Sequence, residues 1–246
     1  MNASIHAETL KMVTTRTHRR LALGALGAAA FLATATAGFA GRDGNAALGT
    51  ASNLANAARG SHVVPLVALV LGILAAAGEF QHGTITQTFL STPRRRAVVV
   101  AKALVAATTG AVLGAAGVVV GLAVATSWSA LDGASIHLAD ATVAGDATGV
   151  VVGGALAGAI GVALGLLVRS QAAALVTAFA WTLFGEGVIM LIGGQGVGRW
   201  LPGGAAQAAS GVGGLLPMWG GALLMAAYTV AIGAVATRLT VARDIG

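Results

Sequence analysis

The sequence predicts an all-α integral membrane protein: six transmembrane helices, an N-terminal amphipathic helix on the membrane interface, and both termini in the cytosol. Three observations predict this. First, 57% of the 246 residues are hydrophobic and only 9% are charged, against about 25% charged residues in a soluble domain. So little polar surface cannot cover a water-soluble core, and the mean hydropathy of +0.86 agrees. Second, apolar runs recur at about the 20-residue length that a helix needs to cross the hydrocarbon layer. Third, the basic residues sit in short clusters beside those runs. The net charge of +6 therefore reads as the cytosolic flanks of a membrane protein, and no nucleic-acid partner is expected.

The chain reads as a single domain, 1–246. Residues 1–20 form the cytosolic or interfacial segment, and spans are expected at about 21–40, 63–77, 97–128, 148–168, 172–192 and 215–237. The second is the shortest and is expected to extend upstream past His62 or downstream towards Phe80. No run alternates in polarity as the strands of a β-barrel do. The absence of cysteine excludes disulfides, thiolate metal sites and cysteine nucleophiles.

Orientation follows from the lysines and arginines. With the N-terminus in the cytosol, the cytosolic side holds Lys11, Arg16, Arg19, Arg20, Arg94, Arg95, Arg96, Lys102, Arg169, Arg238 and Arg243. Only Arg42, Arg59 and Arg199 fall outside, while the outer loop between spans three and four carries Asp132, Asp140 and Asp146. Arg19-Arg20 before an apolar stretch also has the look of a secretory or twin-arginine signal. That stretch runs to about 20 residues, longer than the roughly 7–15 of a signal's apolar region, so a retained first span is expected.

Small residues one helical turn apart let helix backbones approach closely in lipid. Such pairs are Gly110/Gly114 and Gly117/Gly121 in the third span, and Gly154/Gly158 and Gly161/Gly165 in the fourth. Close packing within the monomer is the expectation; a dimer seam or a moving contact is the other reading.

Three polar stretches interrupt the apolar runs. In the first, Ile5, Leu10, Met12 and Val13 fall on one side of a helical wheel and Glu8, Lys11, Thr14, Thr15 and His18 on the other. This modest amphipathic helix, with Glu8, Lys11 and Arg16 as its charges, is suited to lie along the membrane with its basic groups at lipid phosphates.

The second stretch, Gly78 to Arg96, joins spans two and three on the cytosolic side. It holds Glu79, Phe80, His82, Gly83, Thr84, Ile85, Phe89, Leu90, Thr92, Pro93, Arg94, Arg95 and Arg96. Gly83 permits a sharp turn, residues 84–91 suffice for a short helix of about two turns, and Thr92 with Pro93 suits an N-cap and first helical position. A short helix exposing Ile85, Phe89 and Leu90 is suited to docking in another protein's groove. From the residues alone, an ordinary basic loop that only fixes topology is an equal reading.

The third is Glu186, about 14 residues or roughly 21 Å from the cytosolic end of the fifth span. A carboxyl group at that depth is costly and marks a candidate functional site. Gly185, Gly187, Gly193 and Gly194 suggest a break in the helix there. The alternative is a carboxylate that accepts backbone hydrogen bonds at a helix end.

No chemistry is expected of this chain. The two lysines, Lys11 and Lys102, follow Leu10 and Ala101, so there is no phosphate-binding Gly-Lys-Ser/Thr loop. There is no His-Glu-x-x-His and no Gly-x-Ser-x-Gly, and the five histidines are scattered over different segments, so no metal site is expected.

These segments together resemble the ABC-2 type transporter permeases of bacteria, over nearly the whole chain. The carriers are Ala7-Glu8-Thr9-Leu10-Lys11 with Thr14-Thr15-Arg16, then Gly78-Glu79-Phe80-Gln81-His82-Gly83-Thr84-Ile85 through Thr92-Pro93-Arg94-Arg95 and Lys102, the most specific match. Glu186, Gly198-Arg199-Trp200-Leu201-Pro202 and Arg243-Asp244-Ile245 carry it in the C-terminal half. Gln81 stands where the family leads one to expect Arg, and the run after Glu186 is unusually rich in glycine.

The resemblance implies a non-catalytic permease subunit of an ATP-driven ABC transporter, an exporter, multi-pass in the plasma membrane. Two such subunits, alike or different, would stand on two ATPase subunits, which bind the ATP and Mg; this chain would bind no cofactor. Glu79 to Arg96 would be the segment seated in the ATPase, flanked by the N-terminal helix, with cargo passing between the two permease subunits along spans two and five. Outside the resemblance, the residues leave two other readings: a self-sufficient secondary transporter or channel, and a non-transporting membrane scaffold or immunity protein.

Overall fold

The computed structural model describes residues 2–42, 44–61, 63–91, 95–209 and 216–242. Among them there is no strand, and six helical stretches are long and apolar enough to cross a membrane. The chain is an all-α, multi-pass membrane protein.

In chain order the helices are α1 (Asn2–Thr14), α2 (Arg16–Gly38), α3 (Ala51–Gly60), α4 (Val63–Gln81), α5 (Thr84–Ser91) and α6 (Arg95–Leu131). There follow α7 (Ala141–Val168), α8 (Gln171–Ala180), a π-helical turn (Trp181–Gly185), α9 (Glu186–Gly193), α10 (Gln195–Gly198), α11 (Pro202–Ala209) and α12 (Met218–Ala242). The membrane-length stretches are α2, α3 with α4, α6, α7, α8 through α9, and α12.

Sequence-coded caps mark several boundaries. Thr50 opens α3 by accepting from the Asn53 amide, and Asp140 opens α7 by accepting from the Thr142 amide at 2.8 Å; both satisfy amides that a helix's first turn leaves without partners. Arg169 closes α7 in a left-handed conformation, and Ser170 then caps α8, so two antiparallel helices join through two residues. The second membrane stretch, Ala51–Gln81, reaches beyond the expected 63–77 at both ends, through α3 upstream and to Gln81 downstream. The downstream extension carries Glu79 in helical conformation because that carboxylate is neutralised inside the protein, as described below.

The core is a three-helix sandwich with α7 between α4 and α6, and glycine sets its spacing. Gly110 of α6 lies against the Gly154 carbonyl of α7, and Gly154 against the Gly110 carbonyl. Gly158 faces the Ala106 carbonyl, and Gly114 the Val150 carbonyl at 2.9 Å from where a Cβ would stand. On the other flank of α7, Gly161 meets the Leu69 carbonyl and Gly165 the Ala76 side chain of α4, while Gly72 of α4 reciprocates against Gly158. Gly117 and Gly121 receive the Val64 side chain and the Ala57 carbonyl. All eight glycines of the expected pairs are thus in contact within one chain, which is the close-packing reading; Gly72 is a ninth that the sequence spacing did not single out. Buried alanines such as Ala29, Ala33, Ala55, Ala57, Ala76 and Ala77 continue the pattern, since in lipid helices associate through close packing with little hydrophobic drive.

Candidate functional site

At the end of the bundle where α4 ends and α6 begins, four charged side chains from three helices converge. Lys102 stands about two turns into α6, within an apolar run where a lone ammonium would be costly. Its side chain is only 1% exposed. The cost is offset by two carboxylates: Nζ lies 2.7 Å from Glu8 Oε2 of α1 and 2.7 Å from Glu79 Oε1 of α4. The Lys11 ammonium closes the group, 2.9 Å from Glu8 Oε1 and 2.6 Å from Glu79 Oε1. Two cations and two anions leave no net charge in the cluster, which is the condition for holding ions away from water. Burial lowers the pKa of Lys11, but the hydrogen bonds from Glu79 and Glu8 and their charges outweigh it, so its pKa is raised above the ordinary lysine value.

This geometry corrects two expectations. The first helix does form, but its wheel is rotated: Ile5, Glu8 and Met12 face the bundle, while Leu10 and Val13 are exposed. Glu8 and Lys11 therefore meet ions of the protein itself, with Glu8 buried and Lys11 half-exposed. Lys102, counted as one of the positive residues of a cytosolic flank, is a buried structural ion. The signal that could have found it is a lysine inside an apolar run, which needs a named partner. Arg16, at the start of α2, is exposed.

Just beyond Glu79 the chain turns. His82 Nδ1 lies 2.7 Å from the Gly78 carbonyl, and Gly83 adopts φ +66°, a conformation that glycine takes without strain. Helix α5 then occupies Thr84–Ser91, the segment the sequence marked for it. Ile85 is buried against Val98 and Phe80, not exposed as expected, and this anchors α5 to the base of α6. Leu90 is exposed at 79%, and His82 and Thr84 are exposed as well. Phe80 carries the Arg169 guanidinium 5.1 Å above its ring, which ties the α7–α8 corner to the same turn. Arg95 is half-buried and Arg96 exposed. Thr92, Pro93 and Arg94, the side chain of Phe89 and the run 243–245 lie outside the described residues.

Glu186 occupies a second polar site at the opposite end. The helix does not break at the carboxylate; it widens into the π-helical turn just before it and breaks at Gly194, which has φ +80°. Glu186 Oε1 accepts from the Gly203 amide in the first turn of α11, at 2.5 Å, and from Trp181 Nε1 at 3.2 Å. A carboxylate at a helix N-terminus satisfies free amides and complements the helix dipole. The helix-end alternative for Glu186 thus describes its observed bonds. Near this end, Arg59 of α3 holds the buried carboxylate of Asp146 in α7, Nε to Oδ2 at 2.8 Å.

No family model matches this chain. The search of curated proteins gives no match either.

Proposed function

We propose that this chain is the membrane-spanning subunit of an ATP-driven ABC transporter, of the ABC-2 permease type, in a plasma membrane with both termini in the cytosol. ATP and Mg are bound and hydrolysed in a separate ATPase subunit, present in two copies beneath two permease subunits. The segment from Glu79 to Arg96 seats in the ATPase, and export is the direction of transport.

One observation carries this reading: a short helix with an exposed apolar end, α5, hangs between two membrane-length helices and is rigidly referenced to both. Ile85 pins it to α6, and Glu79, four residues before Gly83, belongs to the ion cluster that joins α4, α6 and α1. A push on α5 then moves three helices together, where a floppy loop would absorb it. Such a device needs two global states and a lever between them.

The test is co-purification with a candidate ATPase encoded nearby, followed by Gly83→Pro, which is incompatible with the positive φ. The expected result is loss of assembly or of transport-stimulated ATP hydrolysis with the bundle still folded. Unchanged assembly and stimulation would contradict the coupling role.

A second reading is favoured by one observation, the carboxylate of Glu186 on the wall of a large chamber. It is a self-sufficient transporter or channel, and it predicts solute flux in proteoliposomes that hold this chain alone.

A further inference from the structure

Between α4, α7, α8, α11 and α12 lies a chamber of about 840 Å³, within the size range of small-molecule sites. Its long walls are aliphatic, with Leu69 from α4, Ile160 and Leu164 from α7 and Ile232 from α12. Its polar end is different. Among the described residues, Glu186 is the one carboxylate on its wall, and Trp181 and Tyr228 line the chamber with it. Both described hydrogen bonds to Glu186 fall on Oε1, from the Gly203 amide and the Trp181 indole. Oε2 accepts none from a described donor.

We propose that this chamber binds a single-chain cationic amphiphile, with a quaternary ammonium or similar head group at Glu186 and Trp181 and an alkyl tail along Leu69, Ile160 and Leu164. The Glu186 carboxylate supplies the counter-charge to an ammonium head group, and the aliphatic walls supply the surface for an alkyl tail. An anionic head group would meet like charge; a neutral one would leave the carboxylate without a counter-charge. The volume suits a drug-sized, single-chain molecule. The assignment does not rest on the coupling proposal: a chain that failed to bind any ATPase would still bind this ligand.

The test is equilibrium binding of radiolabelled dodecyltrimethylammonium to the full chain in phosphatidylcholine nanodiscs, with empty nanodiscs subtracted. The bilayer then presents a choline head group on two tails in large excess. The expected result is saturable binding, displaced by unlabelled probe and not by dodecyl maltoside. Glu186→Gln keeps an oxygen for the Gly203 amide and removes the charge, and should weaken binding at least about tenfold. Ala157→Phe, which fills the chamber from α7 and leaves Glu186 in place, should abolish it. Three results would overturn the proposal: no saturable binding above empty nanodiscs, which would also be the result if bilayer lipid were the occupant; equal binding by monodisperse Glu186→Gln; or displacement by the maltoside as effective as by the probe. Should both variants fail to fold, the maltoside competition on the unmodified chain decides.

Discussion

The Lys102 ammonium lies 2.7 Å from the Glu8 carboxylate across 94 positions of sequence. That contact fastens the first helix of the chain to the third membrane stretch, and Glu79, bound to the same ammonium, brings in the second. The charges are mutually dependent, so removing one should cost more than removing a balanced pair.

Lys102→Met leaves two buried carboxylates with Lys11 alone. The expected loss is about 3–5 kcal/mol of stability, the usual effect of breaking a buried ion pair from one side. Lys102→Met combined with Glu79→Gln leaves Glu8 and Lys11 balanced and should recover most of that loss. Unfolding of the purified protein in detergent measures both. Equal destabilisation by the single and double variants would contradict the dependence.

The raised pKa of Lys11 gives the attachment of α1 an alkaline limit. Because the folded-state value lies above the unfolded one, the Lys11 contribution is fully present below about pH 10.5, the ordinary lysine value. It is lost as pH rises through the raised value. The difference in melting temperature between the unmodified chain and Lys11→Met should therefore hold constant from pH 8 to about 10.5 and shrink above it. A difference that grows above that pH would contradict the pairing with Glu8 and Glu79.

The glycine seam separates two kinds of glycine. Gly110 abuts the Gly154 carbonyl, so Gly110→Leu must push α6 from α7 and should cost at least about 1–3 kcal/mol. Gly27, in the interior of α2, has open space where its Cβ would be, and Gly27→Ala should be neutral or stabilising by up to about 1 kcal/mol. Thermal unfolding of the two variants checks the contrast.

How much of this was legible follows from which residues act locally. The six membrane-length helices come from run length and hydropathy, and the seam at Gly110, Gly154 and Gly161 from spacing of one turn; both are properties of contiguous sequence. The turn at Gly83 and the two-turn helix after it were legible for the same reason. The inward face of α1 was not: a wheel separates Glu8 from Met12 by polarity, and only the partner Lys102, far along the chain, makes both of them interior. Ile85 was misread because an apolar residue on a short helix looks equally suited to a partner's groove and to its own neighbours Val98 and Phe80. The helix-end role of Glu186 was legible as an alternative. Its donor, Gly203, lies beyond the break at Gly194, which no local pattern connects to it.

The central claim is that α5 faces the cytosol and seats in an ATPase. The chain has no cysteine, so Gln87→Cys on the exposed face of α5 carries its only thiol. A membrane-impermeant maleimide should leave that thiol unmodified in intact cells and label it in inverted membrane vesicles, with labelling suppressed when the ATPase is bound. Modification from outside intact cells would place α5 on the wrong side of the membrane and contradict the account.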